Sequence, residues 1–305
     1  MPNARGAIST ARPPLGVLPA AAFLALLASA LAVAAPDSRR TKSSSADCTL
    51  EMVASGTVAT VLDGRTFALA DGREVRLPAL EIPPPPDPSP APAAAPAAAD
   101  SPPPQLPESD PNQAAADALK SLLSGRAVSL RASKLVTDRY GRILADALAT
   151  RDGYPGSAQK TLLSQGLARL APGLAAPGCR AELRAAERIG RVAKLGLWGD
   201  PRYLPRAAEN VVALSAERGR FTLVEGKVVS VRESGGTIYL NFGRRWSEDF
   251  TVTILKRNER QFIEAGLRPN GLSGRHVMVR GWIEERGGPW IEAVGPEQIE
   301  IIAEK

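Results

Sequence analysis

"VLDGRTFALADGREVRLPALEIPPPP", residues 61–86, reads as a β-hairpin that brings two acids, Asp63 and Glu81, to its rim and then runs into prolines. Asp71-Gly72 is a two-residue signal for a primed turn, in which both central residues take positive φ. Phe67, Ala68 and Leu69 precede it, and Val75, Arg76 and Leu77 follow. Apolar and polar residues roughly alternate, as one buried strand face requires. Asp63-Gly64 is a second turn signal at the other end of the strand. Aspartate is a routine turn residue, so both acids could do no more than shape turns.

The whole chain has 305 residues, enough for two ordinary domains. It carries 38 Lys and Arg against 32 Asp and Glu, for a net charge of +6. That excess suits contact with nucleic acid or another polyanion, although an arginine-rich composition produces it with no partner at all. Two cysteines and one histidine, His276, argue against a zinc cluster, a disulfide-dense scaffold and a Ser-His-Asp triad.

Residues 1–34 read as an export signal. Arg5 and Arg12 make a positive start, 15–34 is apolar, and Ala32-Val33-Ala34 supplies small residues before a cleavage point. The expected location is periplasmic or secreted, with no membrane span after cleavage. The alternative is an uncleaved anchor, since the apolar stretch is about long enough to span a bilayer. Export makes a Cys48–Cys179 disulfide chemically possible, though spacing alone does not establish it.

Composition divides the rest. A linker covers 35–47. A strand-rich region begins at Cys48, and 83–111 is a Pro/Ala-rich insertion unable to bury enough to offset its ordering entropy, hence a disordered or extended loop. Residues 112–123 have a helical face of Ala116, Leu119, Leu122 and Leu123, stopped by Gly125. Strands are expected at 127–132 and 141–149, and helices at 157–167 and 180–195. The last of these should bury Leu183, Ala186, Ile189 and Ala193 and expose Arg184, Arg188, Arg191 and Lys194. Gly196 ends it, and Leu197 and Trp198 dock its end.

"TDRYGRILA" at 137–145, taken with "VATVLDGRTFAL", "REVRLPALEIP", "SQGLAR" and "AAERIGRVAKLGLW" in that order, resembles the staphylococcal nuclease-like family over about half the chain. The resemblance implies a β-rich α+β fold, an OB-type five-stranded barrel with packed helices, spanning 48–204. It also implies hydrolysis of DNA and RNA phosphodiesters with one Ca²⁺, two arginines and a glutamate. Calcium takes hard oxygen ligands, guanidinium forks stabilise charge on phosphorus, and a carboxylate prepares the attacking water.

Carried over residue by residue, the two phosphate-clamping arginines match Arg76 and Arg142, with Tyr140 as a substrate-binding neighbour. The first metal-binding acid matches Asp63, but the second falls on Arg65. The next falls on Glu81, a longer carboxylate. The catalytic glutamate falls on Pro84. Metal binding by Asp63 and Glu81 and catalysis at Arg76, Arg142 and Glu81 are therefore degenerate on this reading. Arg65 should stand in for the metal beside Glu81 or Asp63. Arg76 and Arg142 either pair with Glu81 or Asp138 or keep a phosphate groove that no longer cuts. Glu108, Asp110 or Asp117 is the alternative source of a restored acid.

After a connector at 205–219, residues 220–305 show five alternating strands, at 221–233, 237–242, 250–255, 276–285 and 290–302, with a helix at 256–266 between the third and fourth. This looks like a second, smaller OB-type barrel. Such folds hold single strands on basic grooves and aromatic platforms, here Tyr239, Phe242, Arg244, Arg245 and Trp246. Tyr239 and Phe242 could equally be core, and His276 reads as structural.

Three functions remain open. One is an exported, catalytically degenerate nuclease-like protein that binds phosphate or nucleic acid or serves as an interaction module. The second is an active Ca²⁺-dependent nuclease with a rebuilt site. The third is a structural envelope protein using its Pro/Ala stretch as a spacer. No cofactor is expected unless the nuclease site is active.

Overall fold

The computed structural model describes residues 48–85, 110–151, 154–173, 177–245 and 248–302. The expected signal peptide and linker, most of the 83–111 insertion with Glu108, and Trp246 lie outside the described residues. Ser44–Lys305 forms one compact unit.

The first half runs β1 (Glu51–Asp63), β2 (Thr66–Leu69), β3 (Glu74–Arg76), β4 (Leu80–Glu81), α1 (Pro111–Leu123), β5 (Ala127–Ala132), β6 (Ile143–Leu144), β7 (Asp146–Arg151), β8 (Tyr154–Ser157), α2 (Ala158–Ser164), β9 (Arg169–Leu170) and α3 (Pro177–Val192). Strand order is β6-β3-β2-β1-β5-β7-β8, with β4-β9 as a separate pair. β1 organises the sheet: Glu51 to Thr57 pair with β5, and Val58 to Asp63 pair with β2. Register shifts between Val58 and Thr60 and between Val61 and Asp63 bend it at this handover. Among the described residues the strands make a seven-stranded sheet and no closed barrel, where an OB-type five-stranded barrel was expected. The "GRILADALA" stretch breaks at Ala145 into two strands, and β8 adds an edge.

The 67–77 hairpin forms with Phe67 opposite Val75 and Thr66 opposite Arg76. Its turn is longer than the two-residue one expected. Gly72 alone has positive φ, at 86°, while Asp71 stays in the ordinary region. Asp71 Oδ1 instead accepts the Arg73 N–H at 3.1 Å, so the side chain closes the loop. Gly64 likewise serves close approach rather than unusual φ. A Cβ there would lie 2.6 Å from Ile82 Cδ1 and 2.7 Å from Ala115 Cβ. Its N–H donates to Asn112 Oδ1 at 3.0 Å, tying the β1–β2 turn to α1.

α1 begins at an Asp110 cap whose carboxylate accepts the Asn112 N–H at 2.9 Å, with Pro111 in its first turn. Ala115, Ala116, Leu119 and Leu123 recur at helical spacing and are buried against Phe67, Leu69, Leu130 and Leu162. Each such leucine or phenylalanine contributes about 1.5–3 kcal/mol by burial. Cys48 and Cys179 form a disulfide with Cα atoms 4.3 Å apart, fixing the entry to β1 onto α3.

The second half runs β10 (Arg206–Ala207), α4 (Val211–Ala216), β11 (Phe221–Lys227), β12 (Ser230–Ser234), β13 (Thr237–Asn241), β14 (Thr251–Leu255), α5 (Lys256–Glu264), β15 (His276–Trp282), β16 (Glu284–Arg286), β17 (Gly288–Glu292) and β18 (Ile299–Ile301). Two sheets form, β10-β11-β15-β18 and β12-β13-β14-β17-β16. The helix falls between the third and fourth expected strands, but three of those strands are broken. Residues 221–233 split at Val228-Val229 into strands of different sheets, because Val228 is buried and its N–H bonds the Arg275 carbonyl. Residues 276–285 split at Ile283, and 290–302 around a 3₁₀ turn at Pro296–Gln298. Among the described residues these sheets make no closed barrel. The expected connector is also structured: β10 pairs with β11, and Ala208 and Leu214 enter the second core.

The halves share a seam. Trp198, Phe221, Leu223 and Met278 make a small apolar cluster across it. Beside that cluster Arg280 is fully buried and donates to Glu187 Oε1 at 2.8 Å and to the Leu170 carbonyl at 3.0 Å. Glu300 accepts from Arg191 at 2.6 Å, and Arg180 lies 3.3 Å from Glu297. This corrects the expected faces of α3. Leu183, Ala186 and Glu187 are buried, Ile189 is exposed, and Arg191 faces the second half.

Candidate functional site

The site is built where the β1–β2 turn, β3, β4 and the turn before β6 converge. Asp63 ends β1, and its Oδ1 accepts the Arg65 N–H at 2.8 Å, which turns the chain and aims Arg65 across the turn. Arg65 Nη1 then donates to Glu81 Oε2 at 2.8 Å and to the Leu80 carbonyl. The side chains are 24 % and 14 % exposed, so this pair is largely removed from water. Glu81 is held from behind, because β4 pairs with β9 and sets Glu81 opposite Arg169.

Arg142 reaches the same region from "TDRYGR". Its Nε donates to Asp138 Oδ2 at 2.8 Å, and Asp138 Oδ1 accepts the Tyr140 N–H at 2.9 Å. Burial alone would raise the Asp138 carboxyl, but the hydrogen bonds from Arg142 and Tyr140 hold it below its ordinary value. Tyr140 is 66 % exposed, with the Arg139 and Arg142 guanidiniums 4.7 and 4.9 Å from its ring centre. An exposed aromatic ring is therefore flanked by two cations.

Arg76 differs from its neighbours. Among the described residues it has no ion pair, and its one hydrogen bond is a long one to Thr66 Oγ1, 3.4 Å. Burial, then the nearby Arg65 and Arg142 guanidiniums, lower its pKa from the ordinary value. Crowded cations and a desolvated guanidinium make a place where an anion is favoured.

The donor set does not fit calcium. That ion takes six to eight oxygens, carboxylates among them. Asp63 caps a turn, Glu81 is engaged by Arg65, and among the described residues no group of three or more His, Cys, Asp or Glu could hold a metal. The alternative acids do not gather here. Asp110 caps α1, and Asp117 pairs with Lys120 at 3.2 Å.

In the second half, Tyr239 and Arg244 line one cleft of about 540 Å³ with Arg232 and Asn241. Arg245 does not join them and pairs with Glu248 at 2.9 Å. Phe242 is core, packed on Phe250 at 4.9 Å between ring centres. His276 Nε2 lies 3.4 Å from Glu225 Oε1. Sequence reading missed two features, the buried Arg280–Glu187 pair and a cleft over Arg169. Arg280 had a signal, a lone charge within the apolar strand "HVMVRGW". Arg169 had none.

Among the described residues no helix is long and apolar enough to cross a membrane. A comparison with curated proteins finds no match. The family model described as staphylococcal nuclease homologue matches residues 95–200. That stretch includes Asp138, Tyr140 and Arg142 but begins after Asp63, Arg65, Arg76 and Glu81. Over that stretch, about a third of the chain, the protein is similar to staphylococcal nuclease homologues.

Proposed function

We propose that this is an exported nuclease-like protein whose cleavage centre has become a phosphate-holding site for nucleic acid. The carrying observation is the Arg65–Glu81 pair at 2.8 Å. A fixed guanidinium sits against the carboxylate that the family resemblance assigns to the metal. It supplies positive charge there but cannot polarise or deliver water as a hydrated cation would. Pro84, at the position of the catalytic glutamate, has no group to accept a proton. What remains suits binding: Arg76 without a carboxylate partner, Arg142 beside it, and the exposed, cation-flanked Tyr140.

The test is calorimetric titration of Ca²⁺ into the purified protein and its Arg65→Asp variant. The reading expects no binding to the unmodified protein and measurable binding to the variant, where Glu81 is released and an oxygen donor added. Tight Ca²⁺ binding by the unmodified protein would overturn it.

A further inference from the structure

A cleft of about 420 Å³ lies at the seam between the halves, walled by Pro84, Tyr203, Leu204, Arg206, Arg220 and Phe221 over Arg169. Its lining holds four arginines, with Arg202 the fourth, against one carboxylate, Glu217. Glu217 is engaged by Arg206 at 2.8 Å and Arg202 by Asp200 at 2.7 Å, so the cleft's demand for an anion rests on Arg169.

Arg169 is the unusual member. It is 5 % exposed, yet among the described residues its one hydrogen bond goes to the Tyr203 carbonyl, and its buried Nε has no partner. Glu187 acts on Arg169 electrostatically, but its carboxylate also accepts from Arg280 and from the Leu170 N–H. Burial lowers the Arg169 pKa to about 10, which still leaves it charged at neutral pH. A buried cation whose nearby carboxylates are already shared with other arginines is unfavourable, and a guanidinium fork matches a phosphate.

We infer that this cleft binds a phosphate monoester, with the phosphate against Arg169 and the group it carries against Pro84 and Leu204. The inference is independent of the Arg76 site, since Arg76 does not line this cleft. The monoester could be a free nucleotide or the phosphorylated end of a strand.

The test is calorimetry on the full chain with inorganic phosphate, adenosine monophosphate, and one short DNA strand with and without a 5′-phosphate. Arg169→Gln should weaken adenosine monophosphate binding at least about tenfold, while Lys120→Gln, an exposed change outside both sites, leaves it unchanged. Leu204→Glu, a change at a 40 % exposed position, sets a carboxylate in the cleft and should weaken it similarly even if Arg169→Gln does not fold. Displacement of adenosine monophosphate by the phosphorylated strand alone identifies a strand end; no displacement by either strand identifies the free nucleotide. Absence of binding at millimolar phosphate and nucleotide, or binding that Arg76→Gln abolishes and Leu204→Glu spares, overturns the inference.

Discussion

Arg65 Nη1 lies 2.8 Å from Glu81 Oε2, and the same residue's backbone N–H is held by Asp63 at 2.8 Å. One arginine thus engages both acids that the resemblance assigns to a metal. The arrangement is stable because each partner satisfies the other. Glu81 is only 14 % exposed and would be costly to leave unpaired. On the proposed reading, the acids keep their places in the fold while their chemistry changes.

Arg76 should carry most of the anion affinity of this site, since Arg142 spends part of its capacity on Asp138. Arg76→Ala is expected to weaken binding of a single-stranded oligonucleotide several-fold and to reduce the dependence of log K on log salt by about one. Arg142→Ala should have a smaller effect. Fluorescence anisotropy across a salt series measures both, and equal binding by Arg76→Ala and the unmodified protein would contradict the assignment.

The seam between the halves should be energetically continuous. Arg280 and Glu187 are 0 % and 1 % exposed and 2.8 Å apart. Arg280→Ala strands a buried glutamate and should cost about 3–5 kcal/mol. Replacing both with apolar residues of similar size, Arg280→Met with Glu187→Leu, should recover much of that loss. Urea unfolding followed by far-UV circular dichroism checks this, and two separate transitions in the unmodified protein would argue against a shared seam.

Stability should also report Asp146. Burial raises its pKa from 3.8 to about 6, although Ser157 and the Gln159 N–H oppose the shift. Between about pH 4 and 6 the folded state holds a proton that the unfolded state has lost, so this group's contribution falls as pH rises. Above pH 6 the penalty is constant, about 3 kcal/mol at roughly 1.4 kcal/mol per unit. Asp146→Asn should then stabilise the protein at pH 7 and make little difference near pH 4. Denaturant midpoints at the two pH values decide it, and a variant no more stable at pH 7 would refute the raised pKa.

The Cys48–Cys179 bond joins residues 131 apart. In the chain-entropy description, a loop of that length stabilises by roughly 4–5 kcal/mol. Cys48→Ser with Cys179→Ser should lower stability by an amount of that order. A double variant with an unchanged urea midpoint would show that the entry strand gains nothing from its tether.

Elements whose pattern is local were legible in the sequence. The helix at 111–123 announced itself by its alanine and leucine spacing and its Gly125 stop, and the 127–132 strand by alternation. What the sequence hid was decided by distant partners. Ile189 and Arg191 exchange their expected environments because the second half covers one side of α3, which periodicity within the helix cannot register. The expected strand 221–233 breaks because Val228 is anchored to Arg275, 47 residues away. At the site, Arg65, Arg76, Glu81 and Arg142 were identifiable from motif order. Arg65 beside Glu81 or Asp63 was expected, and its guanidinium takes Glu81; that Arg76 goes without a carboxylate depended on side-chain reach, visible only once the strands were placed.

The central claim is most directly tested by a nuclease assay on the purified protein, with labelled DNA and RNA and with Ca²⁺ or a chelator. The account predicts negligible hydrolysis in every condition. An arginine at a metal-ligand position and a proline at that of the acid each remove an effect of roughly 10²-fold or more. Ca²⁺-dependent cleavage at an ordinary enzymatic rate, abolished by Arg142→Ala, would contradict it and place a working acid elsewhere in the chain.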